Sequence, residues 1–370
     1  MELARLPFRR IGLRLAEGID STLLVLMLAL SMLGLLALFS ASYEQPARVA
    51  SQVANLAVAL VAMWLVAQLH PQTMMRFAVP AYVIGLAFLV AVALFGDVVN
   101  GARRWLHVGV TRFQPSEMMK LALPLMLAWY FHKHETALKL RNFAVGALLL
   151  IVPLGLIARQ PDLGTAALVG AAGFYVIFFA GLSWRVLGTL GGIGLAALPV
   201  AWGFLHGYQR KRVLTLLDPT TDPLGAGYHI IQSTIAVGSG GLWGKGWLNG
   251  TQAHLEFIPE RHTDFIFAVF SEEFGLIGNV VLLVLYALLV GRGLVIAANA
   301  ATVFARLLAG AISLMFFTYA FVNMGMVSGI LPVVGVPLPF LSYGGTALLT
   351  LFIGAGILMS IHRYRKLVQT

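Results

Sequence analysis

The residues best suited to chemistry lie together where the longest polar stretch of the chain meets an apolar segment. Pro259-Glu260-Arg261-His262-Thr263-Asp264 brings carboxylates, an imidazole and a guanidinium to the edge of a hydrophobic run. Charges beside hydrocarbon are costly enough that chains rarely keep them without a use. A carboxylate in this place could act as a general base towards an attacking hydroxyl within hydrogen-bond reach. Asp264 is therefore the first candidate for a catalytic residue.

A structural interpretation of Asp264 stands beside the catalytic one. Thr263-Asp264 opens an apolar helical pattern, and Asp is a preferred N-cap residue. The helix dipole would keep this carboxylate ionised, which maintains it as a base but weakens it. Both interpretations stay open, and the neighbouring Glu260, Arg261 and His262 favour a catalytic role for Asp264.

Other charges lie inside apolar segments and need partners there. Glu117 and Lys120 are three residues apart on one helix face, which predicts an ion pair that also shapes a polar cavity. Glu272 and Glu273 follow Asp264 by roughly 12–14 Å of helix, and their depth predicts pairing with a buried cation. Asp162 could cap the following helix or could face the cavity and help to bind a cation. For Asp162 the two alternatives stay open.

Cationic residues cluster in three places, all in segments that we expect to lie outside the cell. For any one of them, anchoring to anionic headgroups is the ordinary role. As a set they predict binding of an anionic substrate such as a pyrophosphate, which suits the fork geometry of arginine. The clusters are Arg103 and Arg104 with Arg112, then Arg210, Lys211 and Arg212, then Lys245 with Arg261, beside which His262 lies.

The composition indicates that membrane-spanning helices position these residues. The chain is 59% hydrophobic and 11% charged, with a mean hydropathy of +0.87, which is too apolar for a soluble globule. Windows of about 20 apolar residues are long enough to cross a bilayer. They occur at roughly 20–40, 49–69, 77–95, 116–131, 143–158, 163–181, 186–206, 264–290, 307–330 and 342–361. We therefore expect an all-α polytopic membrane protein with about ten transmembrane helices and one large extracytoplasmic loop.

This pattern divides the chain into three parts and orients it. Residues 1–206 carry the first seven helices, residues 207–263 form the loop with short surface helices, and residues 264–370 carry the last three helices. The positive-inside rule places both termini in the cytoplasm and the 207–263 loop outside. We therefore expect the active site to be extracytoplasmic.

Several classes of function are excluded or disfavoured. The chain has no cysteine, which excludes disulfides, cysteine–zinc sites and thiol nucleophiles. Its net charge of +10 fits anionic membrane lipids and gives no reason to expect nucleic acid. The glycine-rich segment 238–246 fails the Walker A pattern at Ser239 and at Gly246, so no nucleotide is expected. Neither haem nor flavin is expected.

A second irregular segment separates the last two apolar spans. Pro332, Pro337 and Pro339 prevent a continuous helix there. Non-helical backbone at membrane depth is tolerated only where it is buried in protein or lines a cavity. This segment is therefore expected to dip partway into the membrane.

Six motifs in sequence order resemble the SEDS family of shape, elongation, division and sporulation proteins across nearly the whole chain. Residues 246–252 and Arg261 look like the elongation branch more than the division branch. The motifs are Gln114-Pro115-Ser116-Glu117, Gln160-Pro161-Asp162-Leu163-Gly164, Asp222-Pro223-Leu224-Gly225, Gly238-Ser239-Gly240-Gly241, His262-Thr263-Asp264-Phe265-Ile266-Phe267, and Pro337-Leu338-Pro339-Phe340-Leu341-Ser342-Tyr343-Gly344-Gly345.

The resemblance implies a ten-helix glycosyltransferase of the bacterial cytoplasmic (inner) membrane. It would polymerise lipid II into peptidoglycan strands beside a class B penicillin-binding protein. By that implication, Asp264 matches the essential aspartate of the family, proposed to activate the acceptor hydroxyl. Trp105, Glu117, Lys120 and Asp162 match other positions on which the family depends, and Ser342 belongs to the last motif.

The cations are then expected to bind the undecaprenyl pyrophosphate that carries the glycan. A divalent cation, Mg²⁺ or Mn²⁺, could be held by Asp162 or Asp264, although the chain has no dedicated metal motif. A lipid II flippase and a non-catalytic scaffold for the penicillin-binding protein are the alternative functions.

Overall fold

The computed structural model of the chain describes residues 18–43, 45–99, 102–108, 111–160, 162–204, 207–222, 225–255, 257–258 and 260–365. Within these ranges, ten long helices coincide with the ten predicted segments. They are α1 (Ser21–Ala41), α2 (Pro46–Ala67), α3 (Pro71–Phe95), α4 (Pro115–Lys133), α5 (Leu140–Ala158), α6 (Leu163–Phe179), α7 (Trp184–Phe204), α11 (Ile266–Ala298), α12 (Val303–Val327) and α13 (Gly345–Arg363). Three shorter helices, α8 (Gly207–Leu217), α9 (Ala226–Ser239) and α10 (Thr251–His254), lie between α7 and α11.

The expected class, an all-α polytopic membrane protein, is confirmed. In the described part of the chain, α1, α2, α3, α5, α11, α12 and α13 are each long and apolar enough to cross a membrane. Helix α6 is apolar but has 17 residues, and α4 carries Glu117, Lys120 and Lys133. The number of spans, ten, therefore stays a prediction, as does the division at residues 206 and 263.

The helix starts follow local sequence signals. The Asp20 carboxylate accepts a hydrogen bond from the Leu23 amide at 2.7 Å and caps α1. Helices α2, α3 and α4 each begin with a proline, whose missing N–H has no partner at that position in any helix. The hydroxyl of Thr302 caps α12 by accepting from the Ala305 amide at 3.2 Å.

Helix α12 lies at the centre of the packing. It contacts α11, α6 and α4, and most of its side chains are buried. Helix α13 packs closely on α2, and α11 also contacts α1. The irregular segment between α12 and α13 enters this core, since Val336, Leu338 and Leu341 are each about 1% exposed. The segment is thus packed in protein, as non-helical backbone at membrane depth must be unless it lines a cavity. Its dip partway into the membrane stays a prediction.

Helix α11 is broken at Gly275, and the glycine-rich segment 238–246 fills the break. Gly275 has φ +63°, and a Cβ there would lie 2.3 Å from the Gly244 nitrogen. Because backbone groups at membrane depth need partners, the segment supplies them. The bonds run from Lys245 N to Glu272 O (3.0 Å), Gly246 N to Glu273 O (3.0 Å), Leu276 N to Gly241 O (2.9 Å) and Ile277 N to Leu242 O (3.2 Å). The glycines here serve close backbone packing.

A three-stranded antiparallel sheet between α3 and α4 was not predicted. It consists of β1 (Asp97–Val99), β2 (Ala102–Val108) and β3 (Thr111–Phe113), in the order β1-β2-β3. The sequence contains a signal for it, because Asn-Gly is the typical dipeptide of a two-residue hairpin turn, and Asn100-Gly101 directly follows Val98-Val99. The sheet carries Arg104 and Trp105 to the site described next.

Candidate functional site

A polar cavity of about 180 Å³ is enclosed by β2, α4, the starts of α6 and α13, and the irregular segment after α12. Five residues singled out from the sequence meet in its wall: Arg104, Trp105, Glu117, Lys120 and Asp162. They come from three separate stretches of chain. This cavity therefore joins motifs whose proximity the linear order does not reveal.

The predicted ion pair of Glu117 and Lys120 is confirmed. The Lys120 ammonium lies 2.5 Å from Glu117 Oε1 and 5.0 Å from the centre of the Tyr319 ring. Both charged residues are buried, at 8% and 2% exposure. The second oxygen of Glu117 is buried without a hydrogen-bond partner among the described residues. The pair thus holds α4 in the core and also lines the cavity.

Asp162 caps α6 and also faces the cavity, whereas its binding of a cation stays a prediction. Its Oδ1 accepts from the Thr165 amide at 3.1 Å, so it caps α6. Its Oδ2 accepts from the Thr165 hydroxyl at 2.9 Å and from Gln114 Nε2 at 3.3 Å, and lies 3.8 Å from Arg104 Nε. The carboxylate therefore orients Arg104 and Gln114 at the cavity wall while it starts the helix.

Asp264 lies against the same cavity from the other side of its wall. A Cβ placed on Gly335, which lines the cavity, would be 3.3 Å from Asp264 Oδ2. The N-cap residue of α11 is Phe265, without a side-chain capping bond, so the interpretation of Asp264 as an N-cap is wrong. The Asp264 carboxylate is not engaged by a hydrogen bond from the described part of the chain.

The surroundings of Asp264 change its acidity. Burial, and to a smaller extent the negative charge of Glu260, raise the pKa of the carboxyl to about 6. Desolvation and a like charge both disfavour the ionised form. Above pH 6 the group is ionised and is a stronger base than an ordinary aspartate. Such a pKa suits proton transfer near neutrality.

Three consecutive carbonyls hold the backbone at Asp264 in place. The oxygens of His262, Thr263 and Asp264 accept from the Tyr343 amide at 2.9 Å, the Ser342 hydroxyl at 2.6 Å and Asn323 Nδ2 at 2.8 Å. Ser342 also accepts from the Leu338 amide at 2.7 Å. Ser342, predicted to support the cavity, thus ties the irregular segment to the turn that carries Asp264.

The predicted cations do not gather in one place. Arg104 lines the cavity, whereas four of the other cations, and the neighbouring His262, contact protein groups on different elements. The contacts are Arg210 Nε to Trp202 O (3.0 Å), Lys211 Nζ to Asp222 Oδ1 (3.0 Å), Lys245 Nζ to Glu272 Oε1 (2.6 Å), Arg261 Nε to Ala41 O (2.9 Å) and His262 Nδ1 to Ser42 Oγ (3.1 Å). Arg212 lies on α8. The side chains of Arg103 and Arg112 lie outside the described residues. A pyrophosphate site made by the whole set stays a prediction.

The cation beside the paired glutamates is Lys245, which bonds to Glu272 but is partly exposed, with 28% of its side chain accessible, rather than buried as predicted. Glu272 is fully buried and also accepts from the Thr251 amide at 3.0 Å and the Gln252 amide at 3.1 Å. Glu273 accepts from the Ser40 hydroxyl on α1. These two carboxylates join the glycine-rich segment, α10 and α1 to the N-terminal part of α11.

A cation site made by protein ligands is not supported by the donors present. No group of three or more His, Asp or Glu side chains is close enough to hold a metal ion among the residues that the structure describes. The Asp162 oxygens already accept from Thr165 and Gln114. The divalent cation therefore stays a prediction, and no step of the reaction is assigned to it.

Two residues at the site were missed by sequence reasoning. Asn323 lies near the end of α12, and His229 lies on α9 with its ring 5.5 Å from that of Phe265. Burial lowers the pKa of His229, which keeps the ring neutral near pH 7. Neither residue has a partner close in sequence, so no local spacing marks them.

An apolar groove adjoins the polar cavity. It has a volume of about 500 Å³ and runs between α2, α3, α4 and α13. Glu117 and Thr346 line both spaces, while the rest of the groove is formed by side chains such as Val66, Phe77 and Leu121. A ligand with a polar head and a hydrocarbon tail would fit the two compartments together.

Comparison with known proteins identifies the family. The family model of FtsW, RodA and SpoVE, described as "Cell cycle protein", matches residues 21–367. The chain belongs to this family. It is 52% identical over 352 residues to the peptidoglycan glycosyltransferase MrdB of Escherichia coli K12, covering 95% of each chain. It is 31% identical over 427 residues to the peptidoglycan glycosyltransferase RodA of Treponema pallidum, covering 95% of this chain and 99% of that one.

Solved structures of family members agree with the fold. A chain from a peptidoglycan synthase complex that coordinates polymerisation and crosslinking aligns with a TM-score of 0.82 and 38% identity, over 94% of this chain and 98% of that one. The crystal structure of the rod-shape-determining protein RodA of Thermus thermophilus aligns with a TM-score of 0.72 and 32% identity, over 95% and 98%. The fold and the elongation-type resemblance are thereby confirmed.

Proposed function

We propose that this family member is a peptidoglycan glycosyltransferase that polymerises lipid II during cell elongation, with Asp264 as general base. One observation carries the assignment of the site: an unbonded carboxylate with a raised pKa lies against a polar cavity that opens into an apolar groove. The 52% identity to a named glycosyltransferase over 95% of the chain supports the reaction class.

The proposed reaction is an inverting hexosyl transfer. Asp264 accepts the proton of the attacking sugar hydroxyl, whose oxygen forms a bond to the anomeric carbon of the second sugar. The bond from that carbon to the phosphate oxygen breaks, and undecaprenyl pyrophosphate leaves with the bonding pair. Arg104 and Lys120 supply positive charge in the cavity, where developing negative charge on the leaving group needs stabilisation.

The two compartments suit the two halves of a lipid-linked sugar. We assign the polyprenyl chain to the apolar groove between α2, α3, α4 and α13, and the pyrophosphate to the polar cavity. Burying hydrocarbon in such a groove is favourable at about 25 cal/mol per Å² removed from water, although lipid competes for the same surface. Glu117, at the junction, would repel a phosphate unless Lys120 kept its charge paired.

The partner and the location are also proposals. A class B penicillin-binding protein is the proposed transpeptidase partner, because the similar chain of known structure belongs to a peptidoglycan synthase complex. The distribution of Lys and Arg in short loops supports cytoplasmic termini and an extracytoplasmic site in the inner membrane.

A single pair of assays tests the function against its alternatives. The purified chain with its penicillin-binding partner is expected to make glycan strands from lipid II, and the partner alone is expected to make none. Strands from the partner alone would establish the scaffold instead. Lipid II translocation in proteoliposomes, without polymer, would establish the flippase.

We expect the activity to depend on pH through Asp264. Because only the ionised carboxylate can accept a proton, kcat/KM should fall as the pH drops through about 6. Glu260→Gln removes a negative neighbour, lowers the pKa of Asp264 and should move this acid limb to lower pH. The pH profile of lipid II polymerisation measures both effects. An acid limb that stays in place in Glu260→Gln would contradict the electrostatic coupling.

We expect Gly335→Ala to lower kcat by about tenfold or more, since misplacement by about 1 Å can cost a hundredfold. The added methyl group would lie 3.3 Å from Asp264 Oδ2, and Gly335 has φ +72°, which L-residues rarely adopt. Gly181→Ala is the matched control, because Gly181 has φ +105° and nothing within 4 Å of the new methyl. It carries the same kind of backbone strain and should keep its activity. Equal activity of both variants would separate Gly335 from the site.

A further inference from the structure

We propose that Asn323 is a positioning residue for Asp264, whose backbone its side-chain amide holds against the wall of the polar cavity. The assignment rests on the proposed function, because Asn323 acts through the proposed base. Asn323 touches neither the cavity nor, in this geometry, a reacting atom. Its effect is to fix the position of the Asp264 carboxylate.

The two N–H groups of one amide bridge two segments of chain. Asn323 Nδ2 donates to Asp264 O at 2.8 Å and to Val336 O at 2.7 Å. An amide nitrogen has two hydrogens, so both are used. Both neighbours are carbonyl oxygens, which can only accept. The nitrogen must therefore face them, and the orientation of the amide follows from chemistry.

The bridge determines the distance between the proposed base and the cavity. Val336 follows Gly335, on which an added Cβ would lie 3.3 Å from Asp264 Oδ2. Asp264 and Val336 are 59 and 13 residues from Asn323 along the chain, so no local structure holds them together. The Asn323 side chain thus fixes the distance between the backbone at Asp264 and the backbone at Val336.

The burial of Asn323 is unfavourable unless its amide has a structural role. Asn323 is fully buried in an apolar helix, and its Oδ1 has no partner among the described residues. Burying a polar group without a hydrogen bond is unfavourable in proteins. For packing alone, leucine, which is similar in size, would avoid this cost. The two donated hydrogen bonds are what the asparagine provides and leucine does not.

Loss of Asn323 should displace Asp264 without unfolding the turn. The Tyr343 amide and the Ser342 hydroxyl still hold the carbonyls of His262 and Thr263. Only the third carbonyl, that of Asp264 itself, becomes unanchored. A shift of the carboxylate is therefore the expected consequence.

Kinetics of three variants provide the first test. In Asn323→Leu and Asn323→Asp, kcat for lipid II polymerisation with the partner present should fall by about 10- to 100-fold, with KM within about twofold. Asn323→Gln keeps the donors and should give an intermediate kcat. Ser313→Ala is the control, because Ser313 is equally buried in α12 but donates to Ala309 O, in the same helix, at 2.7 Å. Wild-type kcat in Asn323→Leu, or a KM rise equal to the kcat loss, would overturn the proposal.

Thiol labelling provides a second test that does not depend on activity. Because the chain has no cysteine, Asp264→Cys introduces a single thiol. Its alkylation rate with iodoacetamide should rise several-fold when Asn323→Leu is added, and should not change with Ser313→Ala. An unchanged rate with Asn323→Leu would overturn the positioning role. If Asp264→Ala proved active, the proposed function would fail, whereas the labelling would still decide what Asn323 does.

Discussion

Replacing Asp264 with alanine is expected to lower kcat for lipid II polymerisation by about 10²- to 10⁴-fold, the usual contribution of a general base. The carboxylate is raised to a pKa of about 6 by burial and by Glu260, and no hydrogen bond within the described chain engages it. Asp264→Asn keeps the size and removes the basic oxygen, so it should lose as much activity. Gel analysis of glycan strands made with the penicillin-binding partner measures both variants.

The controls for Asp264 separate chemistry from assembly. Both variants should co-purify with the partner and unfold at the wild-type temperature, because the carboxylate stabilises no helix end. Asp218→Asn is a matched substitution of an aspartate whose contacts are to Thr220, in its own turn. It should polymerise lipid II normally. Strands of normal length and amount from Asp264→Ala would remove the assignment.

Breaking the buried pair of Glu117 and Lys120 is expected to have the largest effect on stability. Lys120→Met would leave the Glu117 carboxylate buried at 8% exposure without its cation. Removing one partner of a buried pair typically costs about 3–5 kcal/mol, because the remaining charge is uncompensated. The double variant Glu117→Gln with Lys120→Met should recover most of that loss. Thermal unfolding in detergent measures the series.

The stability series has a control on the surface. Lys211 lies 3.0 Å from Asp222 Oδ1, but its side chain is 63% exposed. An exposed pair of this kind contributes about 0–1 kcal/mol, so Lys211→Met should unfold near the wild-type temperature. A Lys120→Met protein as stable as Lys211→Met would show that the core pair is solvated. If the double variant recovered stability but not activity, both residues would be needed for the reaction in the cavity as well as for folding.

Local spacing was enough for the features that depend on neighbours in sequence. The i,i+3 interval of Glu117 and Lys120 predicted their bond, because residues three apart share a helix face. The apolar windows predicted ten helices close to their observed ranges, since crossing hydrocarbon demands about 20 apolar residues in a helix. Proline content predicted the irregular segment before α13 for an equally local reason.

Contacts between distant segments were beyond such reasoning. The sequence left Asp264 between an N-cap and a base, and only the position of Phe265 as N-cap and of Gly335 beside the carboxylate separates the two. Asp162 proves to cap α6 and to face the cavity as well, whereas its binding of a cation stays a prediction. The cations, alike in sequence, are distributed over the cavity and several other elements, because each binds an acceptor that the fold brings near it.

The amino-acid sequence by itself determined the membrane-spanning helical class, the charged pair of α4 and the aspartate at the start of α11. These follow from periodicity, residue spacing and the cost of charge in hydrocarbon, which act over one or two helical turns. The tertiary structure decided that β2, α4, α6 and the segment before α13 enclose one polar cavity. It also decided that Asn323 anchors Asp264 beside this cavity. Packing of segments tens to hundreds of residues apart creates these contacts, and a linear pattern carries no record of them.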